Sequence, residues 1–330
     1  MARERRSSRE LEALWKEKDM ADGRVVDTMV IILRTRGCFW SKEGGCHMCG
    51  YNSASSSAVT TEDLLAQLDA AMERYRDEPF VKIYTSGSFL DDNEVPPEVR
   101  TEVFRRFSGT ERLLFESRPE FVLPARVAGL PPQVTVALGL ESANDAVLRE
   151  SIHKGFSVAD HRRAAQILQD AKLDIRNYVL LKPPFLSERA AIRDSLQTIR
   201  FASSYSTEIS INPLNVQRGT LVERLWKRGN YRPPWIWSLM QVMEQGWTED
   251  GPRIVSSPSG GGTPRGVHNC RDCDGELLKA IERFSFNQDV QELQGHDCGC
   301  RKRWHGALEA EAAFGTTVDL DRNLHNGLAV

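Results

Sequence analysis

Short, nearly continuous apolar runs alternate with amphipathic stretches along most of this chain. Runs at residues 25–33, 80–84, 112–115, 134–140, 174–181 and 208–211 have the length and β-branched content of buried strands. The stretches between them carry apolar residues at helical spacing. The clearest opens at Thr60, an N-cap with Asp63 three residues on, and continues through Leu64, Leu65, Leu68, Met72 and Tyr75. Others cover 98–107, 120–128, 158–171 and 187–203. Ahead of them, Leu11, Leu14 and Trp15 predict an N-terminal helical extension over residues 1–24. Strands alternating with helices predict an α/β fold with a parallel sheet. Six βα units fit residues 25–217, too few for a closed eight-stranded barrel. A partial barrel and a doubly wound sheet both satisfy the pattern, and both put functional loops at the carboxyl ends of strands.

The pattern changes after Pro213. Residues 218–267 bring Trp226, Trp235, Trp237 and Trp247 together with basic residues, then a Gly/Pro-rich stretch at 256–266 that reads as a mobile joint. Residues 268–330 hold a second group of cysteines and a polar tail. Composition narrows the picture little: 40% of the 330 residues are hydrophobic and the net charge is −3, so bulk charge does not point to nucleic acid. No apolar run reaches the length of a membrane span, and no apolar segment follows the charged residues 1–10, so a cytoplasmic location is expected.

Cysteine placement is more informative. All seven fall in two clusters, Cys38, Cys46 and Cys49, and Cys270, Cys273, Cys298 and Cys300. A disulfide framework would spread them through the fold, whereas two tight clusters suit metal sites. The first lies in RGCFWSKEGGCHMCGY, residues 36–51, on the loop after the first expected strand. A 4Fe–4S cluster takes four cysteines, so three would leave one iron open to a substrate or cofactor. The alternative is structural zinc with His47 as fourth ligand. In the second cluster, 24 residues separate Cys273 from Cys298, and two closely spaced pairs suit a structural zinc or, alternatively, an auxiliary 4Fe–4S cluster.

These residues resemble the radical S-adenosylmethionine (SAM) superfamily, although its usual C-x3-C-x2-C spacing is widened here to seven residues in the first interval. The resemblance implies a 4Fe–4S cluster on Cys38, Cys46 and Cys49 that chelates SAM, and an electron donor. It places Met48 near the adenine and Thr85, Ser86 and Gly87 in the loop that grips the SAM amine. Glu116 and Arg118, in the sequence Glu-Ser-Arg-Pro, resemble a signature of the elongator catalytic subunit and methylthiotransferases. They suit ribose hydroxyls and the SAM carboxylate respectively. Glu141 and Lys182, after the fourth and fifth expected strands, are further candidates for binding SAM, or substrate in the case of Lys182. Ion pairs at the barrel mouth are the bland reading of each charged residue.

Within that superfamily, RGCFW…GCHMCGY, SINPLNVQRGTLVERLW at 210–226, YRPPWIWS at 231–238 and HNCRDCD at 268–274 are similar to the archaeosine-synthesis radical SAM family (RaSEA). The resemblance covers residues 28–305, and it implies a partial (βα)6 radical SAM barrel with a small C-terminal four-cysteine module. It implies a tRNA substrate whose D-loop 7-deazaguanine carries a lysine adduct, radical carbon–nitrogen cleavage to archaeosine, and the archaeosine lysine transferase as protein partner. The residues themselves offer two basic stretches for RNA: Arg224, Lys227 and Arg228, flanked by Arg218, Arg232, Trp226 and Tyr231, and Arg301, Lys302 and Arg303 beside Trp304. A solvated helix face over core tryptophans is the competing reading. Other radical SAM tRNA modifiers, elongator-like or methylthiotransferase-like, and a zinc-stabilised RNA-binding scaffold are the alternatives.

Overall fold

The structure, a computed structural model, describes residues 7–313. The first six residues of the expected extension and the tail beyond residue 313 lie outside the described residues. The described chain forms two compact units, one from residues 7–44, 51–139 and 162–175, the other from 45–50, 140–161 and 176–313.

Unit one opens with β1 (Ala13–Ala21) and β2 (Arg24–Ile32), an antiparallel hairpin with Ala13 opposite Ile32 and Ala21 opposite Arg24. The helix expected over residues 1–24 is therefore not formed: Ala13–Ala21 is a strand, and described residues 7–12 are turn and irregular. Asp22 and Gly23 explain the difference: both have positive φ, 46° and 73°, as a tight two-residue hairpin turn requires. Alternation then decides which side chains face inward. Glu17 and Asp19, two residues apart, both pair with the buried Lys82 at 2.5 Å. The chain continues through α1 (Thr61–Met72), β3 (Phe80–Tyr84), α2 (Pro97–Arg106), β4 (Arg112–Ser117), α3 (Pro124–Val127) and β5 (Val134–Glu141). Strands β2 to β5 are parallel neighbours. Met29, Val30 and Ile31 have no exposed surface, as expected where a parallel sheet is covered on both faces. The Thr60 capping box is present in full, with side-chain to backbone bonds in both directions between Thr60 and Asp63. The helix expected over 120–128 is cut short, because Pro119 and Pro124 divide it into a single turn and α3.

After α4 (Val158–Asp170) come β6 (Asp174–Leu181), α5 (Glu188–Ser203), β7 (Glu208–Pro213), α6 (Leu221–Lys227), α7 (Ile236–Gly246), β8 (Arg253–Val255), α8 (Asp274–Asn287) and α9 (Cys300–Ala313). β7 pairs in parallel with β6 and with β8. The sheet has eight strands among the described residues, in chain order from β1 to β8. This is a partial barrel sheet with its antiparallel hairpin at one edge.

Unit two has its own apolar core. Trp237, Met240 and Met243 of α7, Leu277, Ile281 and Phe284 of α8, and Trp304 of α9 belong to it. The segment at 256–266, expected as a mobile joint, is a hydrogen-bonded turn. Val216 N donates to Arg265 O at 2.7 Å, and Gly262 N donates to Val267 O at 2.8 Å. Glycine is required at 266, where a methyl group would lie 2.2 Å from Gly260 O. Among the described residues no helix is long and apolar enough to cross a membrane.

Candidate active site

Cys38 follows β2 and caps a short turn at Phe39–Lys42. Its position is set by Gly37, whose φ of 86° suits only glycine comfortably. A methyl group there would lie 2.3 Å from Asn52 Oδ1 and 2.5 Å from Ser55 Oγ. The loop after β3 packs directly on this cysteine, since a methyl at Gly87 would come within 2.7 Å of Cys38 Cα. The expected Thr85–Gly87 loop and the first cysteine are therefore brought together in unit one. The loop after β4 joins them. Arg118 N donates to Ser88 Oγ at 3.0 Å, and Phe89 N donates to Glu116 O at 2.8 Å. The buried Arg118 guanidinium lies over the rings of Phe39 and Trp40 at 5.2 and 5.7 Å and pairs with Glu120 at 2.6 Å.

Beneath this loop sits Glu94, a residue that no motif in the sequence singles out. Its carboxylate is buried and accepts from Thr35 Oγ1 at 2.7 Å and from Ser88 N at 2.6 Å. Burial pushes its pKa up, while the donors from Thr35 and the loop amides oppose that rise.

Cys46 and Cys49 belong to unit two, on a tight turn closed by Cys49 N donating to Cys46 O at 3.1 Å. Met48 beside them packs against that unit's apolar core. The turn is held by the segment after β5. His47 N donates to Ile152 O at 2.9 Å, and His47 Nδ1 lies 2.9 Å from Ser151 O. His153 Nδ1 lies 2.7 Å from Gly45 O, and the two imidazoles stack with centroids 5.3 Å apart. Residues 147–152 form a π-helical turn ending in His153 at φ 60°, a local irregularity of the kind that accumulates at functional sites. Glu141, at φ 64°, ends β5 and pairs with the buried Lys154 at 2.8 Å. Lys182, at the end of β6, pairs inside unit two with the buried Glu188 at 2.6 Å, and its carbonyl accepts from Tyr231 Oη at 2.7 Å. Asp194 of α5 is fully buried and accepts from Ser142 Oγ at 2.7 Å; burial raises its pKa to about 7.

The second cysteine set converges. Cys270 Sγ lies 3.7 Å from Cys273 Sγ and from Cys298 Sγ, and Cys273 Sγ lies 3.7 Å from Cys300 Sγ. Four thiolates at about 2.3 Å from one ion occupy a tetrahedron with edges of about 3.8 Å. Trp237 Nε1 donates to Cys300 Sγ at 3.3 Å and Asn269 Nδ2 to Cys273 Sγ at 3.5 Å, donors that suit anionic sulfur.

Arg224, Lys227 and Arg228 are exposed on and just after α6, and Arg301, Lys302 and Arg303 are exposed at the start of α9. The aromatics among them are not available as stacking platforms to the same degree. Tyr231, Trp235, Trp237 and Trp304 are buried, and the half-buried Trp226 carries Arg265 at 4.8 Å.

The fold is similar to that of the archaeal Elp3 of Methanocaldococcus infernus with an N-terminal deletion. The TM-score is 0.50 at 15% identity, covering 69% of this chain and 59% of that one. No family model matches the chain. The partial-barrel sheet carries three cysteines, Cys38, Cys46 and Cys49, on the loop after its first parallel strand. The sequence is 39% identical to archaeosine synthase subunit beta of Methanosarcina acetivorans over 93% of this chain and 92% of the relative. It is 38% identical to archaeosine synthase subunit beta of Thermococcus kodakarensis over 89% of this chain and 96% of that protein. The chain belongs to the archaeosine synthase subunit beta family.

Proposed function

We propose that this chain converts a lysine adduct of 7-deazaguanine in the tRNA D-loop to archaeosine by radical carbon–nitrogen cleavage. The observation that carries the reading is the family membership, which extends over 93% of the chain. The donor set agrees with it. Three thiols on one loop, at Cys38, Cys46 and Cys49, suit a 4Fe–4S cluster with one iron left for SAM. When bound and reduced, the cluster and SAM supply a hydrogen-abstracting carbon radical, directed here at the lysine side chain of the adduct.

The protein's part is to bind and orient. The backbone of Thr85, Ser86 and Gly87 would take the SAM amine, Met48 would serve the adenine and Glu116 the ribose, with Glu141 as a further SAM-binding residue. Arg118, which lies over the rings of Phe39 and Trp40, would pair with the SAM carboxylate. Lys182 acts indirectly, by fixing the end of β6 through Glu188. The 3.7 Å sulfur separations support a single zinc ion on Cys270, Cys273, Cys298 and Cys300. In a 4Fe–4S cluster each cysteine binds a different iron, which spreads the sulfurs further apart. Arg224, Lys227, Arg228, Arg301, Lys302 and Arg303 hold tRNA phosphates. The lysine transferase that makes the adduct is the partner subunit, a reduced electron carrier feeds the cluster, and the reaction takes place in the cytoplasm.

The test is an anaerobic reaction of the reconstituted protein with reductant, SAM and adduct-bearing tRNA, read by nucleoside mass spectrometry. Archaeosine should replace the adduct as 5′-deoxyadenosine accumulates. A cluster-loaded protein that cleaves SAM but leaves the adduct intact would exclude this substrate.

A further inference from the structure

Glu94 lies a few residues after the Thr85–Ser88 loop in sequence and beneath it in space. Only 1% of its surface is exposed. Oε1 accepts from Thr35 Oγ1 at 2.7 Å and from the amides of Ser86 and Gly87 at 3.0 Å each, and Oε2 accepts from Ser88 N at 2.6 Å. Three successive N–H groups thus turn inward onto one carboxylate. The described peptides include no cis bond, and in a trans peptide the carbonyl points opposite to the N–H it is bonded to. The carbonyl oxygens of Thr85, Ser86 and Gly87 consequently face away from Glu94. No hydrogen bond among the described residues ends on any of the three.

The same carboxylate reaches the first cysteine by a second route. Thr35, which donates to Glu94, accepts from Gly37 N at 3.1 Å and so steadies the turn leading into Cys38. Gly87 completes the contact, for a methyl group there would strike both Glu94 Oε2, at 2.6 Å, and Cys38 Cα, at 2.7 Å. The far side of the loop is pinned to β4 by Arg118 N on Ser88 Oγ at 3.0 Å. One buried side chain therefore sets the direction of three peptide groups and their approach to the cysteine.

We propose that Glu94 is a positioning residue: it holds the 85–88 loop so that the carbonyls of Thr85, Ser86 and Gly87 form an acceptor cradle for the ammonium of SAM beside Cys38. This rests on the radical SAM reading above and adds to it the group that makes the cradle selective. A surface of outward carbonyls over an acidic group attracts an ammonium and repels a carboxylate, so the cradle also fixes which end of the amino-acid moiety it receives.

The experiment compares two ligands on the cluster-loaded protein by equilibrium dialysis: S-adenosylhomocysteine and its analogue lacking the amine. Hydrogen bonds to a charged group contribute roughly 10- to 100-fold in affinity, so the wild type should prefer the amine-bearing ligand by at least about tenfold. In Glu94→Gln the side-chain amide must face one of the loop N–H donors, and the loop turns. That preference should then fall by about tenfold while iron content stays at the wild-type level. Glu94→Asp, which keeps the charge but shortens the reach, should give a smaller fall in the same direction, and it replaces the glutamine variant if that fails to fold. A folded, iron-replete variant with the wild-type preference overturns the proposal, as does an equal loss of affinity for both ligands, the mark of a merely structural role. If the wild type cleaves SAM but shows no preference for the amine, the cradle is wrong and the radical SAM reading stands. If it neither binds nor cleaves SAM, both fall together.

Discussion

Two residues of this chain sit under constraints that make their substitution informative. Asp194 keeps its proton because burial penalises the carboxylate, which lifts its pKa from 3.8 to about 7. Below pH 3.8 the folded and unfolded chains both carry that proton, and this contribution to stability is fully present. Between 3.8 and about 7 only the unfolded chain gives it up, so stability falls as pH rises through that window. The fall is roughly 4 kcal/mol for a shift of about three units. Asp194→Asn removes this dependence. In urea unfolding it should vary less than the wild type between pH 5 and 8 and should be the more stable protein at pH 8; equal slopes would contradict the assignment. Gly37 carries a different constraint, a left-handed backbone closed in by Asn52 and Ser55. Gly37→Ala should cost about 1–3 kcal/mol of local strain beside Cys38. We expect its iron content after reconstitution to drop by at least half, and full loading would show that the turn adapts.

At the scale of elements, helix α1 and the four-cysteine set make separable predictions. Thr60→Ala removes half of the capping box and should lower stability by about 1 kcal/mol in urea without changing metal content. Anaerobic metal analysis of the wild type should find about four irons and one zinc per chain. Cys270→Ala should lose the zinc and keep the iron, whereas about eight irons without zinc would establish an auxiliary cluster. Much of this level was legible in the sequence. The strands at 80–84 and 174–181 have the expected bounds, because their apolar residues stop abruptly, at the Ser86-Gly87-Ser88 turn and at Lys182-Pro183-Pro184 respectively. The hairpin departs from the expected helix although its turn is visible: Asp22-Gly23 is the local signal, and the helical spacing of Leu11, Leu14 and Trp15 competes with it. The three-residue strand β8 has too little pattern to find. The turn at 256–266 reads as a joint in sequence, whereas its glycines, two of them at positive φ, supply conformations rather than flexibility. The cysteines stood out by spacing alone. Glu94 did not, for in Asp91–Asp92–Asn93–Glu94 it reads as solvated loop, and its four donors come from residues that only folding brings to it.

For the whole molecule, the reading requires a substrate far larger than SAM to be held by surface charge while chemistry proceeds at a loop cysteine. Arg224, Lys227 and Arg228 are exposed, and Lys227 is drawn to an acid of its own helix, Glu223 at 3.4 Å. Replacing all three with alanine should weaken tRNA binding and flatten its salt dependence by about 2 log–log units, roughly 0.7 for each lost phosphate contact. SAM cleavage without tRNA should be unchanged, and wild-type tRNA binding by the triple variant would move the RNA surface elsewhere. All of this presupposes that the chain generates its radical at the first cysteine cluster. The most direct measurement is 5′-deoxyadenosine released from SAM under anaerobic reduction, in the wild type and in Cys38→Ala, Cys46→Ala and Cys49→Ala. Release should be steady in the wild type and abolished in each variant; normal release by all three would contradict the account.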